Sequence, residues 1–214
     1  MGVSLHGAAR AYARDSAPVT PEQAMTRLIE GNMRYVSNTP INTDHSVARA
    51  SRAMGQSPYA AIVSCADSRV APELIFDEGP GALFVVRVAG NFLNEGGLAS
   101  LEYGAAVLGI QQFVVLGHSG CGAIEATISA IRDRVLPPGH LPALVNAIRP
   151  AVYDAMNAGT DVDNLLDAAT LRNAQRNADW VVRQGPILAP LHDAGTLRAA
   201  AGVYDIRTGE VVFT

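Results

Sequence analysis

The 214-residue chain predicts a doubly wound α/β fold, a mainly parallel sheet with flanking helices and an antiparallel hairpin at the carboxyl end. Two observations predict it. The runs 59–64, 83–88 and 112–117 are short and continuously apolar, which suits strands covered on both faces better than half-exposed ones. Between the second and third of them, Leu98, Leu101, Ala105 and Leu108 recur at helical spacing, so the order strand, helix, strand reads as a βαβ crossover.

The elements follow in chain order. Thr20 can cap a helix, Pro21 suits the first helical position and Gln23 completes a capping box, so a helix opens there. Its apolar stripe is Leu28, Ile29, Tyr35 and Val36, and it ends near Ser37. Residues 38–58 are polar, contain Pro40, Gly55 and Pro58, and read as a surface connection to the first strand. Helices are expected over 97–110, 121–134, 141–158 and 163–184. Runs 201–206 and 211–214 flank Arg207, Thr208, Gly209 and Glu210 as a hairpin. With no repeat or linker, the whole of 1–214 reads as one domain, a helical arm over 20–38 and a core over 59–214.

Composition narrows the partners. Hydrophobic residues are 49% and charged residues 17%, which leaves apolar surface to bury in an oligomer. A net charge of −4 without a Lys/Arg cluster argues against nucleic acid. No run approaches the roughly 18 apolar residues that span a bilayer. The segment 1–15 carries Arg10 and Arg14 but no apolar core, so it does not read as a signal peptide. The expected location is cytoplasmic, or periplasmic if a presequence has been removed.

Only two cysteines are present, Cys65 and Cys121, so there is no disulfide framework. They could pair, ligate a metal or sit inert in the core. Their neighbours discriminate. Cys65, Ala66, Asp67, Ser68 and Arg69 follow the first strand directly, and Gly117, His118, Ser119, Gly120, Cys121 and Gly122 follow the third. Both segments arrive at the carboxyl edge, where open α/β sheets bind ligands. Alone, either cysteine reads as a core thiol and the histidine as a non-ligand. Together, two thiolates and an imidazole form a borderline-soft zinc set, and three protein ligands leave the fourth position open, as in a catalytic site. Gly120 and Gly122 offer the backbone freedom to turn both side chains inward. Asp67 and Arg69 could be a surface ion pair. Beside a metal, Arg69 would keep Asp67 ionised as an acceptor for the proton of a bound water.

The pair CADSRV at 65–70 and GHSGCGA at 117–123 resembles the signature of the beta-class carbonic anhydrases. The similarity runs through EGNMRYV, IFDEGPGALFVVRVAGN, SLEYGAAVLG and GVYDIRTGEV. The resemblance implies a zinc enzyme that reversibly hydrates CO2 to bicarbonate and a proton, with zinc-bound hydroxide as nucleophile. Cys65, His118 and Cys121 then match the zinc ligands, and Asp67 and Arg69 the catalytic pair. Gln56, Phe84, Tyr103 and the N–H of Gly122 match substrate contacts, and Ala89 stands where some members have valine. The resemblance further implies a homodimer or homotetramer, embraced by the amino-terminal helix. Ile62 occupies the position where one branch, able to close by bringing the aspartate onto zinc, carries tryptophan; with Gln56 this points to the open branch. None of His6, His45, His140 or His192 has a motif marking it as a proton shuttle. The rival readings are a hydrolase of carbon disulfide or carbonyl sulfide on the same scaffold, and a non-catalytic zinc-stabilised module.

Overall fold

Strands form where apolar runs lie between turns: β1 (Ala60–Ser64), β2 (Leu83–Arg87), β3 (Gln112–His118), β4 (Arg198–Tyr204) and β5 (Val211–Phe213). The computed structural model describes residues 19–44, 46 and 52–214, and the reading of segment 1–15 lies outside them. The strands make one sheet in the order β2-β1-β3-β4-β5. The β1–β2, β1–β3 and β3–β4 pairs are parallel, and β4–β5 is antiparallel. The chain steps from β1 out to β2, then returns past β1 to β3. The reversal therefore falls between the carboxyl ends of β1 and β3, the point at which doubly wound sheets open a crevice.

Alternation along the strands sends side chains to two faces. On one face Ile62, Val114 and Leu116 pack with Ala24 and Leu28 of α1 (Pro21–Val36) and with Ile75 of α2 (Pro72–Ile75). On the other, Val63, Phe113 and Val115 meet Leu101 of α3 (Glu95–Ala106), Val181 of α6 (Leu165–Val181) and Leu188 of α7 (Leu188–Asp193). A third cluster lies at the carboxyl edge, where α4 (Gly122–Asp133) and α5 (Leu141–Asn157) close over Cys65 and Cys121 with Ile124, Ile148 and Val152. The metal motifs thus sit in an apolar pocket of their own.

The expected elements are present, with several differences. The capping box forms: the Gln23 N–H donates to Thr20 Oγ1 at 3.3 Å, and the Thr20 N–H to Gln23 Oε1 at 3.0 Å. The inward face of α1, however, is Ala24, Leu28, Gly31 and Asn32, while Ile29, Tyr35 and Val36 are exposed. The expected stripe mixed two faces of the helix. The helix expected over 97–110 starts earlier, because Asn94 caps it by accepting the Gly97 N–H at 2.9 Å. It stops at Ala106, and the chain reverses through Gly109 at φ +70°. The helix expected over 163–184 opens with a 3₁₀ turn, Val162–Asn164, and its α-helical part ends at Val181. In the hairpin, β4 begins at Arg198 because the whole strand pairs in parallel with β3, from Gln112 opposite Arg198 to His118 opposite Tyr204. Helices α2 and α7 were not foreseen; at 4 and 6 residues they are too short to show periodicity.

Candidate metal centre

Cys65 is the first residue beyond β1, His118 the last of β3, and Cys121 the residue capping α4. One ligand atom from each lies within 4.8 Å of the others, and all three residues are buried. Gly120, at φ +62°, provides the left-handed turn that brings Cys121 back beside His118. Gly122 does not share that role: it is the first residue of α4, so its N–H is one of the helix donors without an intrahelical acceptor.

His118 Nδ1 stands 3.0 Å from the Ser119 carbonyl oxygen. A carbonyl only accepts, so Nδ1 carries the proton and Nε2 keeps its lone pair. Nε2 is buried and has no protein partner. An orphan of this kind ordinarily costs about 1–3 kcal/mol, and a cation between it and the thiols removes the cost. The sulfurs are prepared in the same way. The N–H groups of Gly90 and Asp67 donate to Cys65 Sγ at 3.2 and 3.4 Å. The Cys65 thiol is pulled well down, first by its hydrogen bond with Cys121, with the two N–H groups adding to it against burial. The Cys121 thiol is pushed up by its bond to Cys65 and by burial. Without a metal the two sulfurs share one proton, whereas a dication favours both as thiolates. The donor set therefore fits a divalent metal.

Asp67 lies beside this group, its Oδ2 3.9 Å from His118 Nε2. Arg69 grips it with a fork, Nε to Oδ1 at 2.9 Å and Nη2 to Oδ2 at 2.8 Å, and the Arg69 N–H adds a bond at 3.0 Å. These bonds, the side-chain ones foremost, hold the Asp67 carboxyl far below the usual carboxylate range. Arg69 Nη2 also reaches the Gly120 carbonyl at 3.4 Å, tying the two motifs together.

Three supporting residues were not singled out from sequence. Arg87 donates from Nε to the Cys65 carbonyl at 3.0 Å and from Nη2 to the Asp67 carbonyl at 2.7 Å. Gly90 brings its N–H to the Cys65 sulfur at φ +82°, where a Cβ would stand 2.5 Å from Ile148 Cδ1. Asn173 holds that turn by donating to the Gly90 carbonyl at 2.8 Å. A charge at the end of the apolar run LFVVR was the available signal for Arg87.

The residues matched to substrate contacts fall elsewhere in the chain. Phe84 pairs with Ala61, three positions before Arg87 and roughly 10 Å back along the strand. Its ring lies 6.4 Å from that of exposed Tyr103. Exposed Gln56 precedes the amino end of β1. None of the three joins its own Cys65–His118–Cys121 group; only Gly122 adjoins it. Beside that group opens a mainly apolar cleft of about 490 Å³, lined by Ala89, Gly122, Ala123, Ala126, Leu144 and Val145 among others. His140 is exposed before α5, and His192 Nδ1 stands 3.1 Å from the Leu197 carbonyl oxygen; His6 and His45 lie outside the described residues. Among the described residues, no helix is long and apolar enough to cross a membrane.

Comparison with known proteins agrees with the geometry. Residues 60–211 match the family model described as carbonic anhydrase. Carbonic anhydrase 2 of Mycobacterium tuberculosis is 36% identical over 193 residues, covering 90% of this chain and 92% of that protein. The solved beta-carbonic anhydrase CcaA superposes with a TM-score of 0.65 at 29% identity, over 88% of this chain and 94% of its own. The Coccomyxa beta-carbonic anhydrase, solved with acetazolamide, gives a TM-score of 0.70 at 27% identity, over 88% of this chain and 85% of its own. The chain belongs to the carbonic anhydrase family, and its fold is that of the beta class.

Proposed function

We propose that the metal is zinc, held by Cys65, His118 and Cys121, and that the chain uses it to hydrate CO2 reversibly to bicarbonate and a proton. The observation that carries this is the buried, unpartnered Nε2 of His118 facing two thiols, with an ionised carboxylate alongside. Zinc, when bound, lowers the pKa of water from 15.7 toward about 7 and so supplies hydroxide near neutral pH. The remaining work falls to the chain. Asp67 would accept a hydrogen bond from the nucleophile and so orient it toward CO2. Arg69 keeps Asp67 charged and aimed, and the Gly122 N–H donates to an oxygen of the forming bicarbonate. A merely structural zinc module would have no use for the bidentate Asp67–Arg69 pair.

The apolar half of the pocket is supplied by a second copy. The cleft beside the Cys65–His118–Cys121 group is open, while Phe84 stands on β2, the edge strand of the sheet, with exposed Tyr103 of α3 beside it. A partner laying that edge over the cleft would bring Phe84, Tyr103 and Gln56 to the first copy's metal. The test is stopped-flow CO2 hydration with zinc quantified on the same sample. About one zinc per chain with rapid hydration, abolished by chelation and restored by zinc, is the expected result. A fully loaded protein without hydration activity would refute it.

A further inference from the structure

Resting on the zinc reading above, we propose that Arg87 is a positioning residue: its guanidinium sets the loop that carries both a metal ligand, Cys65, and the catalytic carboxylate, Asp67. Arg87 is the last residue of β2 and lies opposite Ser64, the residue before Cys65. The sheet ladder runs out here, its last rungs being the Val88 N–H to the Ser64 carbonyl at 3.1 Å and the Ala66 N–H to the Val88 carbonyl at 3.2 Å. Beyond them the loop leaves the strand, and its carbonyls need other donors. Arg87 provides them, Nε to Cys65 O at 3.0 Å and Nη2 to Asp67 O at 2.7 Å.

The bland reading is a solubilising charge on an exposed edge strand, and Arg87 is indeed exposed. A solubilising charge would extend into water or meet a carboxylate. Among the described residues Arg87 forms no ion pair with a carboxylate, and two of its donors go to the backbone on either side of Ala66. The spacing matters because the fork is rigid and planar. Two acceptors held by one guanidinium cannot move independently, so the Cys65 sulfur and the Asp67 carboxylate keep a fixed relation. Lysine at the same place offers a compact charge on a flexible stem and would secure one carbonyl at a time.

The test uses the full-length, zinc-loaded chain with Arg87→Met, which keeps the apolar stem, and Arg87→Lys, which keeps the charge. Zinc affinity is measured by competition with a chelator, and ligand geometry by the thiolate-to-metal absorption of the cobalt(II)-substituted protein. Steady-state CO2 hydration and thermal unfolding of the metal-free chain complete the set. The Met variant is expected to bind zinc about 10–100-fold more weakly, to shift the cobalt absorption and to lose kcat with KM little changed. The Lys variant should fall between it and wild type, and metal-free unfolding should move by only a few degrees in either. Unchanged zinc affinity and cobalt absorption in Arg87→Met would overturn the proposal. So would a loss of affinity matched by equal destabilisation of the metal-free chain, since that is plain structural damage. If the wild type binds zinc but hydrates no CO2, the proposed function fails alone, and the affinity and cobalt comparison still decides the role of Arg87.

Discussion

His118, Cys65, Cys121 and Asp67 divide the chemistry by protonation. The imidazole is fixed as a donor to Ser119, the sulfurs compete for one proton, and the carboxylate is kept charged by Arg69. Removing a ligand and removing the carboxylate should therefore fail differently. Cys65→Ser or His118→Ala is expected to lose zinc, read as metal content after dialysis. Asp67→Asn should retain zinc and lose about 100-fold or more in kcat, because an amide matches the carboxylate in size but not in charge. Arg69→Ala should show a related loss, and the double variant less than the product of the two, since the pair acts as one unit. Wild-type turnover in Asp67→Asn would sink the assignment. The same pairing predicts an open site near neutral pH. A crystal structure with an Asp67 oxygen at about 2.0–2.2 Å from zinc would contradict that.

Among the elements, α1 is held to the core by a close approach and an ion pair. Gly31 presses on the loop after α2 so tightly that an added Cβ would overlap the Phe76 carbonyl oxygen. Alanine is favoured over glycine in a helix by about 1 kcal/mol, yet overpacking against backbone costs about 1–3 kcal/mol. The clash should win, and Gly31→Ala should lower stability in urea unfolding; a stabilised variant would show that α1 shifts freely. Arg34 Nε meets buried Asp77 at 2.5 Å, and the N–H groups of Ile41 and Asn42 add bonds of 3.1 Å each. Burial alone would raise the Asp77 carboxyl, but these donors outweigh it and hold it below its ordinary value. A depressed folded-state pKa means stability that is present above the unfolded value near 3.9 and lost as pH falls through the folded one. Asp77→Asn should thus cost about 2 kcal/mol at pH 7, and the gap to wild type should narrow in denaturation curves taken below about pH 3.9. A gap independent of pH would dismiss the ionic role.

At the level of the whole molecule, half-buried Phe84 on the edge strand, exposed Tyr103 beside it and the open cleft motivate the proposed assembly. If each site joins the metal and Asp67 of one copy to Phe84 and Tyr103 of another, two defective variants should complement. Mixing Asp67→Asn with Phe84→Ala chains, after dissociation and reassociation, creates mixed dimers in which one of the two sites is intact. Activity of the mixture should exceed the average of the separate variants. If each pocket belongs to a single chain, no mixed dimer has an intact site and the activities simply average. The exposed Ile29, Met33 and Val36 on α1 are further apolar surface of the kind an assembly would cover.

How far the sequence reaches depends on the range of the contacts involved. The grouping of Cys65, His118 and Cys121 was legible because Cys65 and His118–Cys121 each sit at the end of a continuous apolar run, so local pattern alone delivers them to one sheet edge. The capping box at Thr20 and Gln23, local by nature, was legible for the same reason. Sequence could not say which face of α1 points inward, because Leu28 and Ile29 are equally apolar and only the site on which the helix docks separates them. Nor could it pair Arg87 with the Cys65 carbonyl or Asn173 with Gly90, contacts 22 and 83 residues apart along the chain. The separation of Phe84 from the Cys65–His118–Cys121 group was likewise decided by strand register. A residue three places back on a strand is carried roughly 10 Å from the edge where its chemistry would be needed. Local periodicity fixes what a segment is, but which segments meet is set by the packing of the sheet and its helices, and that is a property of the tertiary structure.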